Sequence, residues 1–483
     1  MTEVITGLRM SPLEVVVLLG AVALLLSRWF PPGARRPVAL AAAAVVVLSG
    51  AVLGAVGPRW QMVPVLAGAA VVLPFAVPPV LRRRADRPPR RARWWLALPG
   101  SVVCLALIAA GPVASWAFPV PVFPEPSGRF PVGTAVLEWT DPDRPEAATP
   151  EAGDRRTVVV QLWYPARKSP AGAQRARYLG RTLDEARTVS DALADHAGVP
   201  GFLLDGLPRA RTHSVPGAPV AGGGGRFPVV LFSPGLGGVR TQNTAWAEEL
   251  ASHGYVVAAL DHPHDSAAVV LADGRTVRTG VAATGDPDRD EELAAGWTAV
   301  RAADLGFVLT ELGRLDRGEI AGPVAGRLDT GRVAVAGHSL GGGAALRAAR
   351  QDRRFDAVIN LDGFPHGFAP RPFHQPVLAL TQDIGPETDP DYLPRLAQVL
   401  DLSTAPSYRL TLPGAAHLTF TDAPLYLPPV PALVGSPGRT EGPRVTSAAC
   451  LAFLDATLRN GTGDPAAVLS SYGDLHVHRP GGR

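Results

Sequence analysis

The sequence predicts an α/β protein in two parts, a mostly parallel eight-stranded sheet with helices on both faces preceded by an all-α transmembrane region of about four helices. Three observations carry this. Residues 1–118 hold four apolar stretches almost free of charge; beyond them short apolar runs alternate with helical ones; and "VAVAGHSLGGGAALRAAR", residues 333–350, sets a serine between glycines where such a run turns into a helix.

The apolar stretches are 13–29, 37–56, 60–81 and 94–118. Each of the last three is long enough, at ~1.5 Å per residue, to cross a hydrocarbon core of ~30 Å. The first is shorter and carries Glu14, so a cleaved signal peptide is the competing reading; a single basic residue, Arg9, precedes it, and no small-residue cleavage site is evident. Arg28, Arg35 and Arg36 follow the first stretch and seven arginines lie between Arg82 and Arg93, whereas Arg59 stands alone between the second and third. Arginine-rich loops stay cytoplasmic, so both termini and everything after Phe118 are expected outside the cell membrane, on a multi-pass anchor.

The chain as a whole carries a formal charge of +3, but 12 arginines against 3 acids fall in residues 1–117, which leaves the remainder at about −6. The basic balance therefore belongs to the anchor, and no nucleic-acid partner is expected. The two cysteines, Cys104 in an apolar stretch and Cys450 far downstream, fall in different environments and should not pair.

Residues 119–133, "PVPVFPEPSGRFPVG", read as a stiff extended spacer. The domain beyond, 134–465, holds eight strand-like runs: "AVLEWT", "TVVVQLWYP", "PVVLFS", "YVVAALD", "RVAVAG", "AVINLD", "PVLALT" and "YRLTLP". Helical stretches separate most of them, which implies parallel pairing, while the first two have none between and should form an antiparallel hairpin. Residues 167–226 interrupt this rhythm as an insertion, either a surface excursion or a lid; residues 466–483, with His476 and His478, read as a flexible tail.

A random Gly-x-Ser-x-Gly is expected roughly 0.2 times at this composition, so the pattern is weak alone. Its setting strengthens it: a strand turning sharply into a helix lifts the Ser339 hydroxyl clear of the backbone. A serine needs an adjacent base, itself held by an acid, and the α/β-hydrolase fold orders these as serine, acid, histidine. His417, in "TLPGAAHLTF" after the last strand, is the favoured base over His366 and His374. Asp362 ends the strand after the nucleophile's helix and Asp383 ends the next one; spacing does not choose between them. The oxyanion needs amides already aimed at it. Leu340, just after the serine, and Leu236, in the "PGLGG" loop after "PVVLFS", are the natural donors. The "DHPHDS" segment, 261–266, reads as a polar pocket-rim loop rather than a metal site, and no metal or cofactor is expected.

"VQLWYP", "FPVVLFSPGLGGVRT", "ELASHGYVVAALDHPHDSA", "RVAVAGHSLGG" and "INLDGFP", in this order, resemble the platelet-activating-factor acetylhydrolase family of lipoprotein-associated type, over about 130–460. The resemblance implies a calcium-independent serine esterase that cleaves short or oxidised acyl chains from phospholipids, with Ser339, Asp362 and His417 as triad and Leu236 and Leu340 as oxyanion donors. Two positions depart from the family pattern: Pro234 stands where histidine is usual, and Gly363 where a bulkier residue is. Cutinase-type polyester and triglyceride hydrolases, which take the acid from the next strand and would favour Asp383, are the alternative. A catalytically silent membrane sensor or scaffold on the same fold, and a peptidase, are the rivals from other classes.

Overall fold

The computed structural model describes residues 9–76, 94–367, 370–383, 385, 389–459, 461 and 464–480. The chain divides into two compact units, Met1–Val120 with Phe202–Gly206, and Pro121–Gly201 with Leu207–Arg483.

In the first unit, helices run over Pro12–Leu26, Pro32–Val56, Val63–Ala76 and Trp94–Ala117. Three helical segments, Pro12–Trp29, Gly33–Val56 and Leu98–Ala117, are long and apolar enough to cross a membrane. The third expected span, 60–81, is described as the apolar helix Trp60–Ala76; its last residues, 77–81, and the arginine-rich loop 82–93 lie outside the described residues. Glu14, the charge that made the first stretch ambiguous, caps its own helix with Ser11 and is gripped by both Nε and Nη2 of Arg59 at 2.7 Å. Both side chains are buried, and a buried carboxylate persists only when paired in this way.

In the second unit all eight expected strands form: β1 (Val132–Pro145), β2 (Arg155–Pro165), β4 (Phe227–Ser233), β5 (Val256–Asp261), β8 (Leu328–His338), β9 (Ala357–Leu361), β10 (Val377–Thr381) and β11 (Ser407–Thr411). The sheet has ten strands rather than eight, because β3 (Val215–Pro216) and β12 (Asp474–His478) extend its edges. Its order is β12-β11-β10-β9-β8-β4-β5-β2-β1-β3, parallel from β5 through β11. The hairpin β1–β2 is antiparallel, as expected. A separate two-stranded hairpin joins β6 (Ala268–Val270) and β7 (Thr276–Arg278).

Two expectations are corrected here. The tail is not free over its described residues, 466–480: β12 pairs antiparallel with β11 from Ser407↔His478 to Thr411↔Asp474, because an edge strand with unpaired amides accepts whatever chain reaches it. The stretch 119–133 is not a bare spacer either. Phe123 is buried against Tyr178 with ring centroids 4.9 Å apart, Ser127 N–H donates to Glu249 at 2.8 Å, and Val132 already opens β1.

Apolar side chains fill both faces of the sheet. Helices Pro287–Asp316 and Leu340–Gln351 cover one face, Thr244–Ser252 and Glu441–Leu458 the other. The helix behind the serine is built from Ala344, Ala345, Ala348 and Ala349 around Leu346, all buried, so it lies close against the sheet. Burying Leu346 contributes roughly 2 kcal/mol. Cys104 and Cys450 are both free and buried.

Candidate active site

Ser339 occupies the joint between β8 and the helix Leu340–Gln351 with φ 55° and ψ −124°. A left-handed backbone at a non-glycine residue is costly, so the surroundings must enforce it. They do so from both sides: Ser339 N–H donates to Leu361 O at 2.9 Å, and its own carbonyl accepts from Gly342 and Gly343. Gly341 permits the close approach on the other side, since a Cβ there would meet Ser233 O at 2.0 Å.

Asp362, directly after β9, is also left-handed, with φ 51°. Its Oδ2 bonds His417 Nδ1 at 2.6 Å. Its Oδ1 accepts from the Gln382 amide at 2.9 Å and from Tyr392 Oη at 3.1 Å. The carboxylate is thus fully engaged, and burial together with its charge pushes the Tyr392 phenol well above its ordinary range, so the phenol stays a donor. Asp383, the competing acid, is exposed and its Oδ2 accepts from Gly414 N–H at 3.0 Å. Of the other histidines, His366 bonds Glu291 at 2.5 Å and His374 is exposed.

Gly363, one of the two departures, has a steric reason. A Cβ there would lie 2.5 Å from Ser339 O and 2.8 Å from Gly342 Cα, so a side chain beside the acid would push the serine turn away.

His417 opens the short helix His417–Phe420, with its side chain 42 % exposed. The imidazole of His338 packs on it, ring centroids 4.6 Å apart, and donates from Nε2 to His417 O at 2.9 Å. Gln242 Nε2 in turn donates to His338 Nδ1 at 2.8 Å. One donor and one acceptor on the same ring require a neutral imidazole, and burial beside His417 accordingly lowers the His338 pKa to about 3. Among the described residues neither the Ser339 hydroxyl nor His417 Nε2 has a hydrogen-bond partner. Serine–histidine contacts commonly tighten only when substrate is bound.

The amides of Leu236 and Leu340 likewise have no acceptor among the described residues. The loop carrying Leu236 is fixed elsewhere: Gly235 N–H donates to Gln242 Oε1 at 3.0 Å, and Gly238 N–H donates to Gly235 O at 3.0 Å. The insertion 167–226 covers this loop. Its helix Leu183–His196 places Glu185 on Arg240 at 2.9 Å, and the His196 ring lies so near that a Cβ on Gly237 would be 2.2 Å from Nε2.

The "DHPHDS" segment is not a rim loop. Asp261, His262, Asp265 and Ser266 are buried, and each carboxylate has an arginine: Asp261 pairs with Arg240, Asp265 with Arg301. His262 bonds Asp304 at 2.7 Å through Nδ1 and Ser233 Oγ at 2.9 Å through Nε2. Residues this network recruits from elsewhere, Arg156, Arg301 and Asp304, were not visible in the sequence, because nothing local marks their side chains as facing a polar cluster 36 to over 100 positions away.

The family model of platelet-activating factor acetylhydrolase, isoform II, matches residues 118–277 and 288–462. A probable 1-alkyl-2-acetylglycerophosphocholine esterase of Arthroderma benhamiae is 28% identical over 347 residues, 67% of this chain and 82% of that protein. The platelet-activating factor acetylhydrolase of Cavia porcellus is 32% identical over 166 residues, 30% of this chain and 37% of its own length. Among solved structures, a ferulic acid esterase from Streptomyces cinnamoneus superposes with TM-score 0.58 at 30% identity, covering 73% of this chain and 98% of that one.

Proposed function

The chain belongs to the platelet-activating factor acetylhydrolase isoform II family, and from that premise we propose that it is a membrane-anchored serine esterase using Ser339, His417 and Asp362. Ester hydrolysis on an α/β-hydrolase fold is the chemistry of this family and of the esterase relatives. The observation that carries the site is the 2.6 Å bond from His417 Nδ1 to Asp362, beside a serine held at positive φ.

Ser339 Oγ attacks the ester carbonyl as His417 Nε2 takes its proton. Asp362, acceptor of Nδ1–H, stabilises the imidazolium that results. The Leu236 and Leu340 amides receive the oxyanion. His417 then protonates the departing alcohol, and water, activated by the same imidazole, releases the acid and restores the serine. No step requires a metal or cofactor.

Short or oxidised acyl chains of phospholipids are the proposed substrates. The bond from His417 to Asp362 rather than Asp383 favours this over the cutinase-like alternative. A membrane location is supported by three helices of spanning length and by the apolar side chains they leave exposed, Leu19, Leu48, Val113 and Trp116 among them. Water would not tolerate such a surface, whereas lipid covers it at no cost. The catalytic domain is proposed to face outward, on the arginine placement.

The test is a panel of p-nitrophenyl esters and short-chain and oxidised phosphatidylcholines, assayed on the full chain in detergent for wild type and Ser339→Ala. Hydrolysis that favours short acyl chains and disappears with the serine supports the reading; activity that survives in Ser339→Ala overturns it.

A further inference from the structure

Arg301 lies on the helix Pro287–Asp316 and is completely buried. A buried guanidinium needs an anion, and Asp265 supplies one in fork geometry, with Oδ2 on Nε and Oδ1 on Nη2, both at 2.6 Å. Burial alone would raise the Asp265 pKa, but the arginine charge holds the carboxyl below its usual range, so the pair is ionised. This accounts for two of the five N–H donors. The other three face the end of β4 and the loop after it: Nη1 donates to Pro234 O and, at 3.4 Å, to Ser233 Oγ, and Nη2 donates to Gly235 O at 2.9 Å.

The second of these contacts matters for chemistry. Gly235 O and Leu236 N–H belong to one peptide group, and in a trans peptide the carbonyl and the amide point in opposite directions. The cation, together with the Gly238 N–H that donates to the same oxygen at 3.0 Å, therefore sets the direction of the Leu236 N–H. It also polarises the group, since a carbonyl accepting strong donors leaves its amide a better donor. The preceding peptide is fixed at both ends in the same way, its oxygen by Arg301 and its Gly235 N–H by Gln242. Leu236 N–H, like the neighbouring Gly237 N–H, has no acceptor among the described residues, and of the two it is the one whose own peptide oxygen Arg301 holds.

We propose that Arg301, locked by Asp265, is a positioning residue for ester hydrolysis: it fixes and polarises the Gly235–Leu236 peptide so that Leu236 N–H is presented as an oxyanion donor. The proposal rests on the serine-esterase reading above. Arg301 touches no reacting atom and acts through the backbone. Its contribution belongs to the transition state, because the ground-state carbonyl needs that donor far less than the oxyanion does.

The experiment compares wild type, Arg301→Lys, the doubly apolar Arg301→Met/Asp265→Leu, and Ser339→Ala, each as the full chain in detergent. Active sites are titrated with a fluorophosphonate, so that rates refer to competent enzyme. With p-nitrophenyl acetate, Arg301→Lys, which can reach only one carbonyl, should lose about tenfold in kcat, and the double variant about 10². KM should stay within about twofold of wild type in both. The inhibition constant of an alkyl trifluoromethyl ketone, whose serine adduct carries an oxyanion, should rise by the same factor as kcat falls. Unchanged kcat per titrated site, a loss confined to KM, or an inhibition constant that does not move would each overturn the proposal. So would failure of both arginine variants to fold, which would assign the pair to stability alone. Activity persisting in Ser339→Ala is a separate failure, that of the esterase reading.

Discussion

His417 meets Asp362 at 2.6 Å and His262 meets Asp304 at 2.7 Å, each through Nδ1, and both histidines stand in a unit that also holds a serine for each. In the bond from histidine to carboxylate the two arrangements are alike. If anything the second is the more complete, since Ser233 Oγ already bonds His262 Nε2 at 2.9 Å. The difference is access. The His417 side chain is 42 % exposed, whereas His262 and Asp304 are at 0 %. Ser339 is lifted onto a left-handed turn beside amides with no acceptor among the described residues, while Ser233 ends a buried strand under Arg301. A serine, a histidine and a carboxylate can serve hydrolysis only where the serine can meet a substrate and the oxyanion has donors. Elsewhere the same set is a structural tie.

The two arrangements can be separated by substitution. Ser339→Ala should lower turnover by about 10⁴-fold or more and abolish fluorophosphonate labelling, whereas Ser233→Ala should still be labelled. Labelling lost in the second and kept in the first would reverse their roles. Asp362→Asn should lower kcat by roughly 10²–10⁴, because the imidazole loses its orientation, while Asp383→Asn should stay within about threefold. A larger fall for Asp383 would point to the cutinase-like arrangement.

Asp304→Asn acts on stability instead. It removes the buried carboxylate 2.7 and 2.5 Å from Arg156 and Arg144, leaving them Glu146 and Asp141, and should cost about 3 kcal/mol in urea unfolding. The kcat per titrated site should change far less than for Asp362→Asn.

Acid sharpens the contrast further. Burial depresses the pKa of His262 and, to about 3, that of His338, so both are neutral in the folded protein. The unfolded chain binds those protons near the ordinary pH of ~6.5, so stability is fully present above that value and falls as pH drops below it. Unfolding free energy measured between pH 7 and 5 should therefore decline, and His338→Gln should flatten the slope. An unchanged slope in that variant would show that His338 is not held neutral. The smallest expected effect is on stability in Ser233→Ala, about 1 kcal/mol for one buried hydroxyl bond.

Much of the site was readable from the chain because its signals are local. The serine turn shows as glycines at a strand-helix joint, and the sheet as alternating runs. The acid was narrowed to Asp362 or Asp383, both at strand ends, but a choice between them depends on where the loop after β11 points, which spacing does not encode. Gly363 read as a departure and proves to be a contact requirement against Ser339 O. Misjudged segments failed for one reason, that partners came from afar. The tail found β11, the proline-rich stretch found Tyr178, and the polar cluster at 261–266 found Arg240 and Arg301.

What the sequence determined by itself was the division into apolar helices and an α/β domain, the strand-to-helix turn that carries Ser339, and the candidate base, because these follow from periodicity and backbone geometry over a few residues. Only the tertiary structure decided which carboxylate meets His417, which histidine lies buried as a tie, and which cation holds the loop of Leu236. Those are contacts between residues from 29 to 67 positions apart, and nothing short of the packed fold brings them within a hydrogen bond.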